Sequence, residues 1–402
     1  MTEEGLDVEV WYCSDESIRG EIDKGFETLV KWDIPLLEGY PFRFFRNYSW
    51  KPSIYSGFWG LINLGILKEL VKTKKSIVWV HGWANFINIA TIIFAKLRGN
   101  KVFLRGENPL NQELLKSGTN RLIKKVFLQY FLFKLIDNFL YIGKQNKAFY
   151  KYYGVKEDQF IFAPYSVDND RFQRAALELL PRKDVLRKEL GLPVDAKIIL
   201  YSGKYLPKKR PMDLLKAYQL LTSEEIRTPQ DIQHFNIINK EAITNNQNKN
   251  PKSNVIEKPP ITSYALVMAG DGALRPQIER YISETGLRNV FLTGFINQSD
   301  IVKYYAIADV FVMCSDQGET WGLSVNEAMN FDLPLVVSDL TGCASDLVTE
   351  STGLIFQTGN IKELAGSIKS IFGNKTGSQV HIKNFSYQQI VKNIYGATGM
   401  LR

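Results

Sequence analysis

Two glutamates, Glu319 and Glu327, stand with seven residues between them in the string DQGETWGLSVNEAMNFDLPLVVSD (316–339). Carboxylates accept hydrogen bonds from hydroxyl-rich groups, such as a sugar on one side and a ribose on the other. Gly322, Leu323 and Ser324 open a predicted helix between them. The start of a helix offers unpaired N–H groups and a positive dipole end, a seat for a diphosphate. Taken singly, the two acids would be an ordinary loop acid and a helix-start acid; the string as a whole says more. A second string, SGKYLPKKRPMDLLKAY (202–218), reads as a strand end at Gly203, a basic loop and a helix. Lys204 and Lys209 are placed to neutralise a diphosphate leaving group, and stabilising charge as it develops is often the largest catalytic contribution. Arg210 is the substitute for Lys204 if the loop shifts by one residue. The plainer alternative is a solvated basic loop.

Three weaker constellations accompany these. SIVWVHGW (76–83) puts His81 just after a strand, where it would face a cleft. KVFLRGENP (101–109) puts Arg105 and Glu107 at the next strand end, as acceptor-side residues or as a salt bridge of small worth. MAGDGALR (268–275) has Gly270 and Gly272 after a strand, but Arg275 occupies the place of a third glycine. A dinucleotide fingerprint is therefore weak.

The elements that must position these residues follow a βα rhythm. Strands are expected at 8–13, 76–82, 101–106, 139–143 and 159–164, with helices at 60–72, 86–98 and 120–137. After about residue 180 the rhythm restarts. Strands are expected at 196–203, 264–270, 289–294, 309–314 and 333–338, with helices at 211–221, 273–285, 299–307, 323–331 and 361–372. Such alternation implies parallel sheets covered on both faces, with ligands at the strands' C-terminal edges. The domains are expected at 1–172 and 183–378, joined by a connection over 166–184. A helix within 379–402 is expected to pack back toward the first domain. Residues 222–262, rich in Asn and Lys, read as a surface insertion.

The chain has 402 residues, 45% hydrophobic and 23% charged, which is globular composition. Its formal charge of +8 suits polyanionic partners. No groove-reading motif accompanies that charge, so a nucleic-acid partner is not expected. Cys13, Cys314 and Cys343 form no paired framework, and the three histidines have no zinc spacing. A reducing cytoplasm is the simplest setting. The apolar run from Phe86 is too short to span a bilayer, and the one from Val126 is interrupted by Lys134, Asp137 and Asn138. The aromatic-rich helix over 121–141 can meet anionic lipid at the inner membrane face, but packing against the sheet is the expectation.

The glutamate string resembles the E-x7-E signature of retaining glycosyltransferase family 4. Trp321 stands where many members have Phe, and Asn330, Phe331 and Asp332 where many have a small residue, Cys and Gly. The basic loop resembles the family's G-R-x4-K pattern, with Lys204 in the arginine slot and Lys209 in the lysine slot. The resemblance implies a GT-B fold, two Rossmann-like domains facing a cleft. It implies that Glu319 contacts donor sugar hydroxyls, Glu327 the ribose, and the Gly322 and Leu323 amides the phosphates. It also implies that His81 lies near the donor sugar and that Gly270 shapes the nucleotide pocket. Asp168-Asn169-Asp170 matches a bare DxD but resembles the family's hinge pattern N-G-V-D-x-x-R-F, so a hinge turn and no metal are expected. CSDES, WDIPLLEGY, GFWGLIN, LRGEN and FYKYYGV resemble members serving bacterial surface-polysaccharide assembly.

Family members open with a strand, a Gly-rich loop and a helix before the segment corresponding to LDVEVWYCS, so a missing first strand and weakened turnover are expected here. The function implied is transfer of a sugar from a UDP- or GDP-sugar to a glycan or lipid-linked acceptor, with retention and no cofactor. The alternatives are a sugar-nucleotide epimerase on the same fold, which needs no acceptor, and a silent nucleotide-sugar binding protein, which binds without turnover.

Overall fold

The computed structural model describes residues 7–225, 263–372 and 378–399, apart from positions 17, 21, 24, 26, 27 and 30. The chain begins with short strands: β1 Val10–Tyr12, β2 Ile22–Asp23, β3 Thr28–Leu29 and β4 Phe42–Phe44. After α1 (Leu64–Lys72) come β5 Ile77–His81, α2 Phe86–Leu97, β6 Lys101–Arg105, α3 Leu110–Leu114, α4 Gly118–Tyr130, β7 Asn138–Tyr141, α5 Lys144–Tyr152 and β8 Phe160–Phe162. Strands β5, β6, β7 and β8 pair in that order, all parallel. The 8–13 segment does not join this sheet as expected. Its β1 pairs with β4 alone, Trp11 opposite Arg43, while Trp11, Cys13 and Phe45 pack onto the core beneath α1 and α2. Among the described residues, β5 has a strand partner on one side only.

The segment 166–184 is not an irregular connection. Asp168 caps α6 (Asn169–Leu179), its carboxylate accepting from the Arg171 amide at 3.0 Å, and α7 (Lys183–Glu189) follows. An Asp at this position satisfies an amide the helix start would otherwise leave unpaired, which accounts for the DND string structurally.

The second sheet has six parallel strands in the order β11-β10-β9-β12-β13-β14. They are β9 Lys197–Ser202, β10 Tyr264–Ala269, β11 Val290–Gly294, β12 Val310–Met313, β13 Leu335–Ser338 and β14 Gly353–Phe356. The last was not anticipated, because GLIF is only four residues long and follows a Glu-Ser-Thr turn directly. Apolar side chains alternate between the faces. Ile198, Leu200, Val267, Phe311 and Val337 pack to one side, and Ile199, Tyr201, Met268, Val312 and Val336 to the other. Burial on both faces explains why these strands read as continuous apolar runs. The helix α8 (Pro211–Glu225) continues past residue 221, where the insertion was expected to begin; the remainder, 226–262, lies outside the described residues.

Strands β9, β10 and β11 build outward in one direction, and β12, β13 and β14 in the other. The reversal between β9 and β12 is a topological switch point, where such sheets open a crevice for ligands. The final helix, Tyr387–Thr398, returns to the first sheet. Its Ile390 and Ile394 pack on Phe103, Leu140 and Ile161, and Asn393 donates to the Phe162 carbonyl at 2.8 Å. Two Rossmann-like layers thus share one closing helix.

Candidate functional site

The loop after β9 is held close to the end of β10. The Gly203 amide donates to the Ala269 carbonyl at 2.9 Å, and Tyr205 reaches across from amide to Asp271 carbonyl at 2.8 Å. A Cβ on Gly270 would lie 1.9 Å from the Gly203 carbonyl oxygen, so the two backbones can approach this closely only with glycine there. Within the loop, Arg210 adopts a left-handed conformation (φ 47°) and turns its Nε onto Asp213 at 2.6 Å, with Nη1 3.8 Å from Asp316. Arg210 therefore ties the loop to α8 and to the segment after β12. Lys209 instead reaches over the switch point and hydrogen-bonds the Glu319 carboxylate. Both side chains are mostly shielded, at 17% and 14% exposure. The Lys204 carbonyl accepts from the Tyr201 hydroxyl at 3.0 Å.

The loop after β12 is positioned from the other layer. Gln112 of α3 accepts from the Gly318 amide at 3.0 Å and donates to the Glu319 carbonyl at 2.9 Å and the Leu340 carbonyl at 3.0 Å. Trp321 is buried, and its indole N–H donates to Asn326 at 2.8 Å. Gly322 precedes the helix Leu323–Met329 with φ 104°, and a Cβ there would lie 2.7 Å from the Met313 sulfur. Leu323 is exposed at the helix start. One turn further, Glu327 accepts from the Tyr305 hydroxyl at 2.6 Å. Burial pushes the Glu327 carboxyl up, while the Tyr305 hydroxyl and the Arg171 charge oppose the shift.

His81 and Arg105 end β5 and β6 side by side in register. The His81 ring stacks on Trp79 with centroids 5.4 Å apart and planes 11° apart. His81 is exposed as a residue, yet desolvation and the neighbouring Arg105 charge lower its pKa to about 4. The imidazole is thus neutral at pH 7. Because the unfolded chain takes up the proton near pH 6.5, protonation favours unfolding, and stability falls as pH drops from there toward 4. In a histidine NMR titration, one ring is expected to titrate near pH 4 and to vanish in His81→Gln. A His81 midpoint above 6 would exclude this environment.

Arg105 and Glu107 meet through Tyr165. The guanidinium lies 4.7 Å from the Tyr165 ring, and the Tyr165 hydroxyl donates to the Glu107 carboxylate. Arg105 Nε is buried without a hydrogen-bond partner, and burial pushes the guanidinium pKa down. Tyr165 also reaches the second layer: its carbonyl accepts from Asn326 at 3.2 Å, and its ring lies 5.8 Å from that of Trp321. The Glu319 charge raises the Tyr165 pKa further, after desolvation, Glu107 and the hydrogen bond.

His81, Arg105 and Tyr165 therefore form one series of neighbours and Lys209 with Glu319 another, with the Tyr165 ring reaching toward the second through Trp321. Glu327 lies one turn into the Leu323–Met329 helix, paired with Tyr305. Gln112, Tyr165, Asn326 and Tyr305 were not picked out from sequence. Gln112 carries no local signal, since its partners lie 206 to 228 positions away. Among the described residues, no group of three or more His, Cys, Asp or Glu side chains could hold a metal ion. No helix among them is long and apolar enough to cross a membrane.

Residues 253–389 match the family described as Glycosyl transferases group 1. The chain is 30% identical over 107 residues to alpha-D-kanosaminyltransferase of Streptomyces kanamyceticus, covering 26% of this chain and 28% of that protein. It is 24% identical over 208 residues to D-inositol 3-phosphate glycosyltransferase of Xylanimonas cellulosilytica, covering 50% of this chain and 40% of that one. The chain thus spans 28% and 40% of the length of these two curated relatives. Among solved structures, Anabaena HepE in complex with UDP matches with a TM-score of 0.60 at 15% identity, covering 90% of this chain and 86% of that one. TarM matches with a TM-score of 0.54 at 16% identity, covering 85% and 60%. The chain has the GT-B fold, and residues 253–389 of its second layer are similar to the glycosyltransferase group 1 family.

Proposed function

We propose that the protein transfers a sugar from a nucleoside-diphosphate sugar to a hydroxyl of a glycan or lipid-linked acceptor, with retention of configuration. The observation that carries this reading is the meeting of Lys209 and Glu319 at the switch point, beside the Leu323 helix start. A cation, a carboxylate and free amides in one place suit a sugar diphosphate. Lys209 and Lys204 balance charge on the leaving diphosphate, so no metal is needed in this reading. Glu319 accepts from sugar hydroxyls and Glu327 from the ribose. Gly203 and Gly270 hold the two loop backbones close and so shape the nucleotide pocket, and the amides of Gly322 and Leu323 donate to phosphate oxygens. Neutral His81 hydrogen-bonds the sugar side, and Arg105 with Glu107 lines the acceptor side. UDP and UDP-glucose are bound by HepE in its complexes, which favours a uridine donor. The setting is the cytoplasm, with contact at the inner membrane face.

Thermal stabilisation by UDP, GDP, ADP and NAD tests the donor site. A ligand at about 100 times its dissociation constant adds roughly 2.7 kcal/mol. UDP or GDP is expected to raise the melting temperature, and Glu327→Ala to lose most of that shift. A full shift in the variant, or stabilisation by NAD alone, removes the assignment.

A further inference from the structure

We propose that the outward face of α4 docks this protein on an anionic lipid bilayer. A helix on a globular surface normally turns its apolar stripe inward. Here the arrangement is reversed. Leu122, Ile123, Val126, Phe127 and Tyr130 recur at positions i, i+1, i+4, i+5 and i+8, which is one face of a helix. They are 62%, 64%, 55%, 37% and 69% exposed. Within α4 only Leu128, on the opposite side, is buried. The exposed stripe continues into Leu114 and Leu115 before the helix and Phe131 after it. The segment packs on the sheet as expected through Leu128, Leu132, Phe133 and Ile136, which join Val102, Leu104 and Phe139 in the core, and the exposed stripe is its other face.

The charge around the stripe selects the occupant. Residues 114–136 contain five cations, Lys116, Arg121, Lys124, Lys125 and Lys134, and no acid. Lys116 and Lys124 are engaged with Glu113, while Lys125 lies over the Tyr152 ring and Lys134 is exposed. An apolar stripe rimmed only by cations fits a surface that offers hydrocarbon below and negative charge above, as an anionic bilayer does. A second copy of the chain would bring the same cations against themselves. The helix is also fixed in place: Ser117 caps its start, and Lys124 binds Glu113 at 2.8 Å in the helix that carries Gln112. Docking through α4 would therefore hold the Glu319 loop at a set distance from the membrane. The surface stands on exposure and charge alone and does not depend on the transferase reading.

The test is co-sedimentation of the full chain with vesicles of phosphatidylglycerol and phosphatidylethanolamine, with phosphatidylcholine vesicles alongside. The expected result is binding to the anionic vesicles that weakens with salt. Ile123→Glu should reduce partitioning by about tenfold or more, since it places a charge where an apolar group enters the interface. Lys125→Gln combined with Lys134→Gln should weaken binding and flatten the salt dependence. Both sets lie at exposed positions, and an unchanged circular dichroism melt verifies folding. Equal binding to both vesicle types overturns the proposal. So does undiminished binding by Ile123→Glu, or a wild-type dimer in sedimentation velocity that Ile123→Glu dissociates, which would make the stripe a self-association surface.

Discussion

Glu319→Gln is expected to slow nucleoside-diphosphate release from the donor by about 100- to 1000-fold, the range seen when one transition-state contact is removed from a preorganised site. The same substitution is expected to tighten UDP binding several-fold. The two effects have opposite signs for one reason. In the protein without donor, Lys209 is satisfied by the Glu319 carboxylate, and both are shielded from water. A diphosphate must compete for Lys209 and must tolerate the carboxylate nearby. Removing the negative charge frees the lysine for UDP, which has no sugar to offer Glu319. It also removes the acceptor that would hold the sugar's hydroxyls in the transition state. Lys209→Met should lose turnover to a similar degree but weaken UDP, since no cation remains. The double variant should be no slower than the worse single one, because residues acting as a unit are not additive. Calorimetry with UDP and a release assay decide it. Turnover near wild type in both single variants would remove the pair from the chemistry, and weaker UDP binding in Glu319→Gln would contradict the competition.

This pairing was only half legible in the sequence. The strings around Lys209 and Glu319 each marked a strand end feeding a helix, because burial on both faces makes such strands apolar and their loops polar and glycine-rich. That both loops lie at the C-terminal edge of one parallel sheet is also readable from βα alternation. What joins the layers is not. Gln112 is a glutamine in a short helix, with nothing in GENPLNQELL to distinguish it, yet it bonds three backbone groups of the opposite layer. Tyr165 falls between the strand expected at 159–164 and the connection expected at 166–184, yet its ring touches Arg105 and its hydroxyl Glu107. Contacts of this kind arise from the relative placement of two sheets, which no local period encodes. The same holds for α4. Its apolar period is plain, but periodicity alone does not say whether the stripe faces the sheet or the solvent. Arg210 shows another gap: the basic loop marks it as a substitute for Lys204, but not that its left-handed backbone turns it onto Asp213.

The join between layers also predicts the largest effect on stability. Glu113 is 1% exposed and accepts from Lys124 at 2.8 Å, Lys116 at 2.9 Å and the Tyr153 hydroxyl at 2.8 Å. Burial pushes its carboxyl up, but the three donors outweigh burial and hold it below the ordinary range. Glu113→Ala leaves Lys124 and the Tyr153 hydroxyl without their acceptor, a loss of the kind that costs about 3–5 kcal/mol when one partner of a buried pair is removed. For a cooperative unit of some 150–250 residues that corresponds to a fall in melting temperature of about 6–20 °C. Glu113→Gln keeps an acceptor for the tyrosine and should cost less. The pH dependence fixes the cause. A carboxyl depressed in the fold contributes stability above its unfolded pKa of about 4.3, and that contribution is lost as pH falls through the folded value. The gap between wild type and Glu113→Gln should therefore be full at pH 7 and shrink in acid, whereas a packing defect would persist at both. Because Glu113 fixes the helix that carries Gln112, the alanine variant should also loosen the Glu319 loop. That would appear as faster amide exchange at Gly318, whose N–H is held by Gln112. Loss of stability with unchanged exchange at Gly318 would mean that the ionic cluster secures the first layer alone and has no part in holding the two layers together.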